Sequence, residues 1–315
     1  EVNEIGTGAV WDAGEWMVVE ADESDGTFVE LPAEVALVTS VEPDHLEHYG
    51  GFAQLEAAFD RFVDSAPVRI VCADDEGAAS LGARHGAVGY GMRDGATYRM
   101  VDVERGRTST AFGVEHDGSR IAEVRLPVPG LHNARNACAA LVTGLLVGAP
   151  ADAAVRALAR YAGVARRFQF RGERDGVTFV DDYAHLPSEV QVALDAARDG
   201  QWQRIVCVFQ PHRYSRTGAL WRDFGDAFVD ADLLVVTDVY PAGEAARPGV
   251  TGKLIVDAVL DAHPWAPVAW LPTLTDVESY LAARLRPGDL CITLGAGDLT
   301  AVPDRVLAVL ERREP

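Results

Sequence analysis

Apolar and polar positions alternate along this chain in a way that divides it. In the first part, strand-like apolar runs at residues 16–19, 35–41 and 68–72 are interleaved with stretches of helical spacing at 52–63 and 76–84. Residues 98–128 then switch to short alternating β-segments, broken at Arg105-Gly106 and Asp117-Gly118 and closed by Pro127 and Pro129-Gly130. Helices are predicted over 132–147 and 151–161. Beyond them, strands near 177–180, 204–209, 233–237, 268–271 and 290–294 alternate with helices near 188–198, 219–228, 254–262, 276–285 and 302–312. Regular strand–helix alternation builds a mostly parallel, doubly wound sheet, so the fold class is α/β. The boundary is placed close to Gly163, giving domains 1–163 and 164–315.

A chain of 315 residues is long enough for two cores of ordinary size. Its formal charge of −20 repels nucleic-acid phosphates and anionic lipid, so neither nucleic acid nor membrane is expected as a partner. No apolar stretch approaches the ~20 residues of a membrane helix, and residues 1–10 lack the basic start and apolar core of a signal peptide, which makes a cytoplasmic site the expectation. Cys72, Cys138, Cys207 and Cys291 form no CxxC pair and are read as buried free thiols. Lys253 is the single lysine.

Chemistry concentrates where apolar runs end. Phe179-Val180 leads into Asp181, Asp182, Tyr183 and His185, and Ile205–Phe209 leads into His212, Arg213 and Arg216. In α/β sheets, such strand ends are where ligands bind. A guanidinium binds carboxylate bidentately, which suits a substrate acid; the competing role is a structural network with Asp238, Tyr240 and Glu244. Glu20 and His45 each follow an apolar run and would together make a Mg²⁺ site, although nitrogen is an unusual ligand for that ion. Otherwise Asp22, Glu23 and Asp25 cap a helix and His45 is a loop histidine. Asn133 and Asn136, three apart at a helix start, share one face and offer amides to a base edge or an N-cap. Arg166-Arg167 stands at the proposed hinge, where a cation reaches a phosphate only on domain closure; the alternative is a solvated pair. The turn Gly295-Ala296-Gly297-Asp298 is weak evidence by itself.

Read in order, VEADESD (19–25), EPDHLEHYG (42–50), GLHNARNACAA (130–140), GVARRFQ (163–169), FVDDYAHLPSE (179–189) and FQPHRYSRT (209–217) resemble the motifs of the Mur ligase family over nearly the whole chain. The resemblance implies a central ATPase-type α/β domain, here incomplete, and a Rossmann-like carboxy-terminal domain. It implies an ATP- and Mg²⁺-dependent, amide-forming ligase of peptidoglycan precursor synthesis. The motifs are closest to the branch that joins L-alanine to UDP-N-acetylmuramate through an acyl phosphate. By the same resemblance Glu20 and His45 serve the metal–phosphate centre and Asn133 and Asn136 the adenine. Arg167 serves the γ-phosphate, Asp182 and Tyr183 the ribose and base side, and His185, His212, Arg213 and Arg216 the muramoyl and amino-acid substrates. Glu20, His45, Arg167 and His185 form the catalytic set.

Two positions depart from the family's DDYGHHP pattern, with Ala184 replacing glycine and Leu186 replacing the second histidine. The family also opens with a UDP-binding domain and a GxxxxGK[ST] phosphate loop. Neither is found in these 315 residues, and Thr251-Gly252-Lys253 is no phosphate loop, since it lacks the first glycine and a following Ser or Thr. The expectation is therefore a fragment, inactive by itself. The remaining readings are a ligase that recycles murein tripeptide and a non-catalytic ligand-binding fragment.

Overall fold

The computed structural model describes residues 6–11 and 13–312. Two compact units divide the chain, one made of Thr7–Arg105 with Ser109–Tyr161 and the other chiefly of Ala162–Pro315 with Gly106–Thr108.

The first unit is built on a six-stranded sheet in the order β1-β2-β3-β4-β5-β6. Its strands are β1 (Val35–Val38), β2 (Val68–Cys72), β3 (Val88–Gly91), β4 (Tyr98–Arg105), β5 (Thr110–His116) and β6 (Ser119–Leu126). The first four run parallel and β4–β6 form an antiparallel meander, as the switch in apolar rhythm predicts. Helices α1 (Leu46–Tyr49), α2 (Phe52–Ser65) and α3 (Glu76–His85) join the early strands. α4 (Leu131–Leu146) packs across the sheet, burying Ala134, Ala137, Cys138, Leu141 and Val142, and is followed by α5 (Ala151–Leu158). Small residues on the buried face let this helix lie close to the strands.

One expected strand is absent. Residues 16–19 form no ladder, and Met17 and Val18 are 82% and 94% exposed. An apolar run becomes a strand only where a neighbour takes its N–H and C=O groups, and β1, the end strand of the sheet, pairs only with β2.

The second unit has the sheet order β11-β10-β9-β12-β8-β7. Its strands are β7 (Gln169–Arg174), β8 (Val177–Asp182), β9 (Arg204–Phe209), β10 (Leu233–Val236), β11 (Val268–Trp270) and β12 (Asp289–Leu294). All pair in parallel except β7, which is antiparallel to β8. Helices α6 (Pro187–Asp199), α7 (Tyr214–Leu220), α8 (Lys253–Ala262), α9 (Leu274–Arg284) and α10 (Val302–Glu311) complete the doubly wound layer. Every residue of β8 and β12 is buried, as expected for strands covered on both faces. Cys207 and Cys291 fall in clusters on opposite faces of adjacent strands, and all four cysteines are free and buried.

The helix expected over 219–228 is instead α7 followed by a 3-10 turn at Trp221–Phe224. Gly225 brings that turn against α8, where an added Cβ would lie 3.3 Å from the Ala258 carbonyl oxygen. β12 returns from the far side of the sheet to lie between β8 and β9, so the carboxyl ends of these three strands adjoin. That topological switch point positions the site.

Candidate active-site residues

Asp181 and Asp182 end β8 and are both buried. Asp181 accepts hydrogen bonds from the hydroxyls of Thr293 and Thr300, each at 2.6 Å, and lies 3.5 Å from Arg166 and 3.7 Å from Arg171. It thus joins β8, β12 and the turn that follows β12. Asp182 accepts the backbone N–H groups of Phe168 at 2.7 Å and Ala184 at 2.8 Å. Burial raises its pKa to about 6 in opposition to those two bonds. Both its carboxylate oxygens are engaged by the backbone.

Arg166 and Arg167 have separate fates. The Arg166 guanidinium donates to the carbonyls of Gly295 at 2.6 Å and Gly297 at 3.3 Å, and its carbon lies 4.8 Å from the Tyr183 ring centroid. Arg167 is half-exposed, 3.8 Å from Glu189 and 5.8 Å from the same ring centroid. Arg166 is therefore fastened to the turn after β12, while Arg167 presents its cation outward beside Tyr183.

His185 and Leu186 form the entry to α6. The Glu189 carboxylate accepts the N–H of His185 at 2.8 Å and of Leu186 at 3.1 Å, capping the helix from its third position. The His185 Nδ1 lies 3.0 Å from the Tyr183 carbonyl and 3.2 Å from Glu189, which orients the ring. Leu186, where the family carries histidine, is the N-cap residue, and its backbone N–H still donates to Glu189.

At the end of β9, the His212 ring centroid is 5.8 Å from that of His185 and 5.6 Å from that of Tyr240, on which it stacks. Arg216 approaches the His212 Nδ1 at 3.4 Å. Burial first, then His185, Arg216 and Arg213, lower the His212 pKa to about 4, so the ring is neutral at neutral pH. Gly297 permits the close approach of Tyr240, since an added Cβ would sit 2.6 Å from that ring and 2.4 Å from Gln210. The second unit thus brings together Arg167, Tyr183, His185, His212 and Arg216, with Arg213 at the head of α7.

In the first unit, Asn133 and Asn136 lie on the first turns of α4, with Asn136 exposed and the Asn133 amide donating to the Pro129 carbonyl at 2.7 Å. Between them Arg135 pairs with Asp74 at 2.8 Å. The Asp74 carboxylate also accepts the N–H groups of Met92 at 2.9 Å and Arg93 at 2.8 Å. This anchor for the Asn133–Asn136 turn has no short-range signature in sequence.

The expected metal pair is not assembled. Glu20 is exposed on the extended segment before β1, whereas the His45 Nε2 faces Asp44 at 3.3 Å and Glu23 at 3.8 Å. Among the described residues no three His, Cys, Asp or Glu side chains converge to hold a metal ion. Without strand 16–19, the carboxylate is not carried to a strand end. Glu20 and His45 are thus not brought together as a pair of ligands, and no chemical step is assigned to Mg²⁺.

Comparison with known proteins identifies the family. The model of the Mur ligase middle domain matches residues 9–144, and that of the Mur ligase glutamate ligase domain matches 166–297. The chain belongs to the Mur ligase family. A UDP-N-acetylmuramate–L-alanine ligase from Solidesulfovibrio magneticus is 43% identical over 96% of this chain and 67% of its own length. The ligase of the same name from Saccharopolyspora erythraea is 44% identical over 99% of this chain and 65% of its own length. Among solved structures, the UDP-N-acetylmuramate–alanine ligase of Thermotoga maritima superposes with a TM-score of 0.77 at 28% identity, covering 93% of this chain and 63% of that one. The chain spans about two thirds of the length of these relatives. No helix among the described residues is long and apolar enough to cross a membrane.

Proposed function

We propose that this chain supplies the middle and carboxy-terminal domains of an ATP-dependent ligase that joins L-alanine to UDP-N-acetylmuramate. The reading is carried by the cluster of Arg167, Tyr183, His185, His212 and Arg216 at the carboxyl ends of β8 and β9. It is supported by relatives near 40% identity that carry this activity in their names.

In this reading the muramoyl carboxylate takes the γ-phosphoryl group of ATP, releasing ADP. The amine of L-alanine then attacks the acyl phosphate carbon, phosphate leaves, and the nitrogen loses its proton. The chain's part is alignment and electrostatics. Arg167 offsets charge on the transferred phosphoryl group. Arg213 and Arg216 hold substrate carboxylates through charge-assisted hydrogen bonds. His212, neutral at working pH, serves as a hydrogen-bonding group, and His185 is held in place by Tyr183 and Glu189. Tyr183 lies on the nucleotide side, and Asn133 and Asn136 offer amides to the adenine edge. We assign Asp182 to fixing the segment that carries Arg167. The formal charge of −20 repels nucleic-acid phosphates and anionic lipid, so the partners in this reading are the small-molecule substrates.

The test uses the chain joined to the part of a relative that it does not span, with ATP, UDP-N-acetylmuramate and either L-alanine or murein tripeptide. Phosphate release that depends on L-alanine supports the reading. Preference for tripeptide would assign the chain to the recycling branch instead.

A further inference from the structure

We propose that Glu244 is a positioning residue for the carboxylate-binding arginines, an inference that rests on the role given above to Arg213 and Arg216. α7 starts without a side-chain cap, because its N-cap residue is Arg213, a side chain with no acceptor, held in the left-handed region at φ 68°. The N–H groups of a first helical turn need acceptors from elsewhere. Glu244 supplies one across a separation of 29 residues, from the loop that follows β10. Its Oε2 accepts the N–H of Ser215 at 2.9 Å, and its Oε1 accepts the Ser215 hydroxyl.

Ser215 is the second residue of α7 and lies in the chain between Arg213, the N-cap residue, and Arg216. A carboxylate at this end of the helix also complements the partial positive charge there. The two bonds from Ser215 hold the Glu244 pKa below its ordinary value, so it stays ionised at neutral pH.

The same loop grips the preceding residues by other means. The Tyr240 carbonyl accepts the N–H of Arg213 at 2.8 Å, and the Tyr240 ring stacks on His212. Those contacts fix the chain at Arg213, and the Glu244 contact fixes the helix one step later. Together they set the direction of α7 and the spacing of the two guanidiniums. Removing the carboxylate frees the first turn to fray without disturbing the buried sheet, so the loss falls on substrate affinity rather than on folding.

The test is titration of UDP-N-acetylmuramate into the ligase completed with a relative's remaining part and its variants, read from the side-chain Nε–H NMR signals of Arg213 and Arg216, with thermal midpoints measured alongside. Glu244→Ala is expected to weaken binding about fivefold or more with a nearly unchanged midpoint. Glu244→Gln, which keeps one acceptor oxygen, retains part of the affinity. Ser215→Ala, which keeps the amide bond, gives a smaller loss that disappears in the Glu244→Ala background. Wild-type affinity in Glu244→Ala overturns the proposal, as does a loss of affinity that merely follows a fall in the midpoint with no rescue by glutamine. Arg216→Ala separates the two layers. If it weakens binding and Glu244→Ala does not, this inference alone falls. If Arg216→Ala binds like wild type, or wild type does not bind, the carboxylate-site reading fails with it.

Discussion

The carboxylate of Asp182 accepts the backbone N–H of Phe168 at 2.7 Å, so a buried acid at the end of β8 holds the segment that presents Arg166 and Arg167. Its folded pKa is about 6, raised by burial from an ordinary value of 3.8. Between those values the folded protein binds a proton that the unfolded chain does not, so this group's contribution to stability falls as pH rises from about 4 to about 6, then levels. The span corresponds to about 3 kcal/mol. Asp182→Asn is expected to remove that slope, which urea midpoints of both proteins between pH 4 and 7 will show. Parallel curves would contradict the assignment.

His212 titrates in the opposite sense. Its pKa is lowered to about 4 from 6.5, so the unfolded chain binds the extra proton and this group's contribution rises with pH between those values. The imidazole is expected to stay neutral through pH 5.5, as read from its ring proton or nitrogen shifts by NMR. A midpoint near 6.5 would restore His212 as a third cation of the loop.

Arg213→Ala or Arg216→Ala removes a charge-assisted hydrogen bond of about 1.5–3 kcal/mol, roughly a ten- to hundredfold loss. In the ligase completed with a relative's remaining part, the loss is expected in the KM for L-alanine or UDP-N-acetylmuramate, with the KM for ATP less affected. Lysine should rescue only in part, since it lacks the planar fork. A rise confined to the KM for ATP would move the loop to the nucleotide side.

Asp74→Ala strips acceptors from Arg135, Met92 and Arg93 at once. With Asp74 buried and Arg135 a third exposed, the expected destabilisation is about 2–3 kcal/mol by urea unfolding. A change below ~0.5 kcal/mol would show that the pair does not anchor α4.

The parts of this molecule legible in its sequence are those fixed by near neighbours. β2 and β9 occupy the residues their apolar runs nominate, because buried parallel strands are apolar on both faces. β3, with two glycines in four residues, and β7, a charged edge strand bulged between Phe170 and Gly172, carry no such run. Segment 16–19 has the run but no partner strand. The start of α7 carries no local signal, because the acceptor for its first turn is Glu244, 29 residues from Ser215. The same holds for the site. His185, His212, Arg213 and Arg216 stand in short motifs, whereas Asp74 with Arg135 and Glu244 with Ser215 are pairings that only the folded chain makes.

Isotope transfer tests the ligase reading most directly. UDP-N-acetylmuramate labelled with ¹⁸O in its carboxylate, incubated with ATP, L-alanine and the completed ligase, is expected to deliver one labelled oxygen to the released phosphate for each amide formed. Arg167→Ala should lower the rate of that transfer by about two orders of magnitude, the scale of a lost charge-stabilising donor. Amide formation with unlabelled phosphate, or Arg167→Ala at the unaltered rate, would contradict the assignment of this chain to acyl-phosphate ligation through Arg167.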